Sequence, residues 1–358
     1  LMNEGLVVER PAAQPTGRGR PRVGLELRPD ALLVAGIKLK PGSITTALLD
    51  LRGAVIGQKT VSFGKPTIRT DELVNGLMTA LQLLLADHAF TTRDLDVVGI
   101  GVPGYVDLHT GEHHWSPILR GTPVNVRDLV SQHLDCPLFI DNDANLATLA
   151  ELWFGLGRKE TDFLVVTIEH GVGMGIVIDG QLFRGARGLG AEFGHIKVQV
   201  DGALCRCGQR GCLEAYVADY ALVREAKSAF VDSAPDETVD SVLSRLADRA
   251  ADGDPMPRAV FEHAGRMLGI GIANLVNLFD PHSIILAGTR FPAHQLIADE
   301  LDAVIRANTV TVDRPPVRLV VHRWDDDLWA RGAGALAIDG VLGQMDRGGG
   351  AEEISFAI

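Results

Sequence analysis

At 358 residues the chain exceeds what one ordinary core organises, and its 46% apolar and 22% charged residues exclude wholesale disorder, so two α/β lobes flanking a cleft are expected. A net charge of -12 excludes a broad basic face that would grip nucleic acid with the body of the protein. No apolar run approaches the roughly 20 residues of a membrane span, and the amino terminus lacks signal-peptide order, which points to a cytoplasmic protein.

Residues 1–8 (LMNEGLVV) read as a helix end, a glycine and a strand, so the chain is expected to begin inside a structured unit. Residues 10–22 are rich in proline, glycine and arginine and read as a linker or exposed hairpin. Within 1–22, Arg10, Arg18, Arg20 and Arg22 face only Glu4 and Glu9, so positive charge is segregated at this end. Short strands are expected at 22–27, 31–39, 43–50 and 54–61. A helix over 70–88 follows, with Leu73, Leu77, Leu81 and Leu84 at helical spacing. Buried strands at 96–102 and 138–140 end on Pro103-Gly104 and on Asp141-Asn142-Asp143.

The second half repeats the order. Strand 164–168 precedes a glycine-rich turn, short strands at 175–178 and 181–183 continue, and a long apolar helix over 259–279 leads to strand 283–287. Forty glycines, well above the usual share, gather in loops after such apolar runs and permit close approach to a ligand. The expected division is 1–22 as an amino-terminal segment and linker, 23–143 (joined by about 325–345) as a small lobe, 144–324 as a large lobe, and 346–358 as a tail, polar, glycine-rich and disordered over 346–351.

Three of the four cysteines fall within eight residues, Cys205, Cys207 and Cys212, and Cys136 is distant; adjacent thiols so spaced do not make a disulfide framework. With His195 they supply three thiolates and an imidazole, the usual tetrahedral set for zinc. Four protein ligands leave no open coordination position, so the zinc is expected to be structural. Gly202, Gly208 and Gly211 permit the tight turns such short loops need.

Gly194-His195 followed by Cys205-x-Cys207-Gly208-x-x-Gly211-Cys212-Leu213-Glu214 resembles the zinc signature of the ROK family, which contains sugar kinases and sugar-responsive repressors. Gly101-Val102-Pro103-Gly104, the stretches 141–149 and 272–281, the turns at 171–190 and Arg331-Gly332-Ala333 extend the resemblance over nearly the whole chain. The fold it implies is the two-lobed actin-like sugar kinase (RNase H-like) fold. It also implies that Asn142, Asp143, Glu192, His195 and Glu214 contact sugar hydroxyls, a task suited to carboxylates and amides in a concave site. Asp143 equally suits a helix cap before 144–153, and Glu214 a solvated helix residue. Where the kinase-like pattern reads Ser-Pro-Asn-Leu, this chain has Ser116-Pro117-Ile118-Leu119, so a sugar-contacting amide is replaced.

Asp143 falls on the base position of the kinases. The phosphate loops diverge: the pattern Asp-x-Gly-Gly-Thr corresponds to Lys38-Leu39-Lys40-Pro41-Gly42, in which Lys38 replaces a magnesium-assisting carboxylate and Pro41 removes an amide donor. Gly-Thr-Gly has become Glu169-His170-Gly171, and the third run has shrunk to Ala287-Gly288-Thr289. ATP use is expected to be lost, so Asp143 would be vestigial.

Repressors of the family carry a winged helix-turn-helix ahead of the sensor. Residues 4–9 resemble the end of that unit and 10–22 its wing tip and linker. Arg18-Gly19-Arg20-Pro21 matches the core of an AT-hook for an A·T minor groove, a solvated linker being the other reading. The expectation is a sugar-responsive repressor, dimeric or tetrameric, with a DNA operator and a sugar or sugar-phosphate effector as partners. Sugar binding would close the cleft and lower operator affinity. The alternatives are an ATP-dependent, glucokinase-like sugar kinase and a sensor acting through protein contact.

Overall fold

The computed structural model describes residues 2–10, 24–107, 110–121, 123–229, 237–288, 294–310, 315–323 and 326–347. Arg18, Arg20 and Arg22, the AT-hook-like stretch and the tail beyond 347 lie outside the described residues. The chain divides into two compact units, Leu1–Phe154 with Asp326–Ile358, and Gly155–Asp325.

The first unit opens with an antiparallel pair, β1 (Val7–Arg10) and β2 (Gly24–Leu27), with Val7 opposite Leu27. Two strands alone are marginal in water, and this pair is tied down elsewhere. Leu6 is buried among Leu32 and Leu51. Arg52 donates to the Glu26 carboxylate at 2.6 Å and to the Leu27 carbonyl at 2.8 Å.

The central sheet of the unit is built from β3 (Val34–Lys40), β4 (Ser43–Leu49) and β5 (Val55–Ser62). After β6 (Ile68–Arg69) and helix α1 (Thr70–Asp87) it continues with β7 (Val97–Gly101). A flap follows: β8 (Tyr105–Val106), β9 (Glu112–Trp115), β10 (Leu119–Arg120) and β11 (Val124–Asn125). Helix α2 (Val126–Ser131), β12 (Leu138–Asp141) and α3 (Asp143–Trp153) complete the run. The sheet order is β12-β7-β3-β4-β5, with β3, β7 and β12 parallel and β3-β4-β5 an antiparallel meander. Nearly every residue of β3, β4 and β7 is buried, as a sheet covered on both faces requires.

The second unit has the same plan. Its sheet runs β15-β14-β13-β16-β17 from β13 (Phe163–Ile168), β14 (Val172–Ile178), β15 (Gln181–Phe183), β16 (Ser283–Gly288) and β17 (Arg318–Arg323). Again three antiparallel strands adjoin two parallel ones. The helices are α4 (Glu214–Val217), α5 (Asp219–Ala229), α6 (Val239–Ala251), α7 (Pro255–Phe279) and α8 (His294–Asn308). The Asp254 side chain caps α7 by accepting from Met256 N, so that helix starts ahead of its apolar run.

Helix α9 (Asp326–Arg347) returns to the first unit and packs on β3, β4, β7 and α3. Its approach is so close that a Cβ on Gly36 would overlap the Ala330 carbonyl, and one on Gly99 the Ala333 carbonyl. Because α3 is held by α9, the division between units follows Phe154 rather than preceding Ala144 as the sequence suggested. The helix also persists through Arg347, past the expected start of a disordered tail at 346.

Candidate functional site

In the second unit, Phe193–His195 form a 3-10 turn, and the loop that follows folds back so that Lys197 bridges Cys212 and Leu204 bridges Arg210. Gly211 adopts φ +77°, and a side chain there would run into the Gln199 carbonyl. The loop is fastened from beneath by Tyr216, whose hydroxyl accepts from Ala203 N at 2.7 Å. This brings one ligand atom from each of His195, Cys205, Cys207 and Cys212 within 4.8 Å of one another. His195 Nδ1 lies 3.7 Å from Cys205 Sγ, and Cys207 Sγ lies 3.7 Å from Cys212 Sγ. Thiolates bonded to one zinc at about 2.3 Å in a tetrahedron stand about 3.7 Å apart, so the spacing and the donor set both fit a metal ion.

Groups outside this set orient it. Lys197 Nζ donates to Cys212 Sγ at 3.0 Å and to Gln209 Oε1 at 2.6 Å. The Tyr220 hydroxyl reaches Cys205 Sγ at 3.6 Å and the Glu214 carboxylate at 3.4 Å. Burial raises the Tyr220 phenol far above its ordinary pKa, which keeps it a donor. Metal ligands need such partners to hold their orientation. Neither residue stands out in the sequence: Lys197 belongs to no motif of its own, and Tyr220 reaches the cluster only through the start of α5.

Glu214 is buried, at 9% exposure, which removes the solvated-helix reading. Its Oε2 accepts from Val172 N at 3.3 Å, joining the cluster's surroundings to the β13–β14 turn. Glu192 directly precedes the 3-10 turn and is half-buried. The turn Glu169-His170-Gly171 is closed on α5: Asp219 N donates to the Glu169 carbonyl at 3.0 Å, and His170 Nδ1 lies 2.9 Å from Asp219 Oδ2.

In the first unit, β12 delivers Asp141, Asn142 and Asp143 to the carboxyl end of the sheet, where ligands bind in open α/β folds. The helix cap is Asn142, not Asp143: its Oδ1 accepts from Asn145 N at 2.8 Å. Asp141 is buried and accepts from Asn142 N and Asn145 Nδ2 at 2.8 and 2.7 Å, which fixes the corner. Asp143 takes the first helical position with Oδ1 3.1 Å from Ala144 N and remains half-buried. In register, Gly101 of β7 faces Asp141 on one side and Lys38 of β3 on the other. Lys38 is 4% exposed, with its ammonium 3.3 Å from the centroid of the Trp329 ring. The expected first loop is a two-residue hairpin turn, Pro41-Gly42, inside the β3–β4 ladder, with Lys40 opposite Ser43. Ile118 is 1% exposed and belongs to the core.

The model described as the ROK family matches residues 34–340. The chain is 30% identical over 348 residues to the xylose repressor of Caldicellulosiruptor bescii, covering 96% of this chain and 87% of that one. A ROK family transcriptional regulator described as a homologue of the E. coli MLC protein superposes with a TM-score of 0.80 at 26% identity, over 96% of this chain and 88% of that one. A ROK family glucokinase from Streptomyces griseus, solved with glucose and AMPPNP, superposes with a TM-score of 0.72 at 31% identity, over 86% of this chain and all of that one. The fold is therefore that of the sugar kinases and their repressor relatives.

Proposed function

The chain belongs to the ROK family, and from that premise we propose that it is a sugar-responsive transcriptional regulator whose kinase-like body binds an effector and no longer turns over ATP. Lys38 carries the reading. A magnesium-assisting loop needs a carboxylate at the end of β3, and here a buried ammonium packed on Trp329 fills that place. The Pro41-Gly42 turn offers the hairpin ladder rather than a cradle of free amides. Glu169 adds a carboxylate where a triphosphate would lie, a repulsion of several kcal/mol once water is excluded, on the order of the Coulomb energy of close like charges.

The sugar-recognising groups persist: Asn142, Asp143, Glu192, His195 and Glu214 hold hydroxyls of a sugar or sugar-phosphate, with Asp143 the vestige of a catalytic base. Bound to His195, Cys205, Cys207 and Cys212, Zn2+ supplies a structural cross-link. His195 turns Nδ1 toward Cys205 Sγ, so a bound metal would fix the orientation of the ring. Residues 1–22, which resemble the end and linker of a winged helix-turn-helix, would contact DNA through Arg18, Arg20 and Arg22. The regulator acts on an operator as a homodimer or tetramer, and an effector coupling of about 1–3 kcal/mol suffices for a useful response.

The test pairs two assays. Operator DNA binding is titrated against a panel of sugars and sugar phosphates, and ADP release is followed with the same hexoses and ATP. A sugar that weakens operator binding while no ADP appears is the expected result. Turnover of ATP that vanishes in Asp143→Asn establishes the glucokinase-like alternative instead.

A further inference from the structure

The flap of the first unit carries an irregularity that the function above does not use. Strands β8 and β9 pair Tyr105 with Trp115 but Val106 with His113, so His114 is an extra residue on β9. Alternation along a strand places residues two apart on one face. His113 is completely buried, and without the bulge Trp115 would follow it into the core. Instead Trp115 is 43% exposed, and the half-buried Tyr105 stands opposite with ring centroids 5.4 Å apart at 39°. Bulges of this kind re-aim side chains and gather beside functional sites.

The surrounding backbone holds the pair in place. Gly104 has φ +119°, and a side chain there would collide with the Trp115 carbonyl. The Ser116 hydroxyl donates to the Pro103 carbonyl at 2.7 Å and accepts from Ile118 N at 3.3 Å. Tyr105 follows the end of β7 by four residues, and Val102 N donates to the Asp141 carbonyl at 3.1 Å. The aromatic pair therefore rises from the same sheet edge as Asn142 and Asp143.

We propose that Tyr105 and Trp115 form a stacking platform for the C–H face of a pyranose ring, a binding subsite for the effector on the first unit. The electron-rich faces of aromatic rings attract the polarised C–H groups that a pyranose presents between its hydroxyls. The platform also supplies, by apolar contact, affinity that the inward-turned Ile118 does not provide. The class of ligand is a closed sugar ring; an acyclic polyol has the hydroxyls without a rigid face. The proposal rests on the sugar-binding reading above.

Binding of D-glucose, D-xylose, N-acetyl-D-glucosamine and sorbitol is measured by calorimetry on the full chain and on Trp115→Ala, Trp115→Phe and Tyr105→Ala. Trp115→Ala is expected to weaken the pyranose that binds wild type by about three- to tenfold, and Trp115→Phe by no more than about twofold. The change in tryptophan fluorescence on adding that pyranose should disappear in Trp115→Phe. Wild-type affinity in both alanine variants, or an equal loss for sorbitol, overturns the platform. A wild-type chain that binds none of the pyranoses overturns the sugar reading itself.

Discussion

Single residues in this protein are settled by what surrounds them. His113 is fully buried opposite Val106 in the β8–β9 pair, with no partner at hydrogen-bonding geometry for either ring nitrogen. Burial pushes its pKa down from 6.5 to about 4, which the nearby Gly111 backbone opposes without reversing. The folded state therefore holds His113 neutral where the unfolded chain would protonate it. Stability from this residue is complete above pH 6.5 and is lost as pH falls toward 4, by on the order of 3 kcal/mol. Urea unfolding between pH 7 and 4 should show that slope, and His113→Phe should flatten it; His263, lowered by burial and by Arg266, adds a smaller contribution of the same sign. Lys38 is the counterpart among cations: a buried ammonium is costly alone, and the Trp329 face offsets part of that cost.

At the level of elements, the helix on the sheet is the tightest joint. Gly99 sits in β7 under α9, and a Cβ there would overlap the Ala333 carbonyl, a backbone atom that cannot swing aside. Gly99→Val is expected to destabilise the first unit by about 2–3 kcal/mol or more, read as a drop in the denaturant midpoint. Such joints explain which elements were legible in the sequence. Strands β3, β4, β7 and β13 and helix α1 are long apolar runs or cleanly periodic, and each falls where the pattern puts it. Helices α5, α6 and α8 escape the sequence reading because their buried residues form narrow stripes among polar ones, Val242, Leu246 and Ala250 in α6 and Ile297, Leu301 and Ile305 in α8. The cysteine cluster was legible because its spacing is short. The Tyr105–Trp115 pair was not, since a bulge is invisible to a period-two reading.

Across the whole molecule, two sheets of one topology each carry a core of their own. In the second unit the core gathers Phe193, Cys212, Leu213 and Phe261; in the first, one cluster holds Ile37, Leu77 and Ile100 and another Val34, Leu49 and Ala337. The candidate metal cluster belongs to the second unit alone. Stripping metal with a chelator should therefore raise hydrogen exchange around residues 195–220 while leaving strands β3, β7 and β12 protected, and Cys207→Ser should reproduce that map. Exchange rising equally in both units would show that the cluster is not a local cross-link. The glycines at the joints of α9 with its neighbours have a consequence for descent as well. Gly36, Gly99 and Gly332 meet backbone carbonyls, not ligands, so a lineage could exchange its catalyst for a switch and inherit them unchanged. Their presence in a relative should then report ancestry alone, and the residues that tell a regulator from a kinase are to be sought at Lys38 and Glu169.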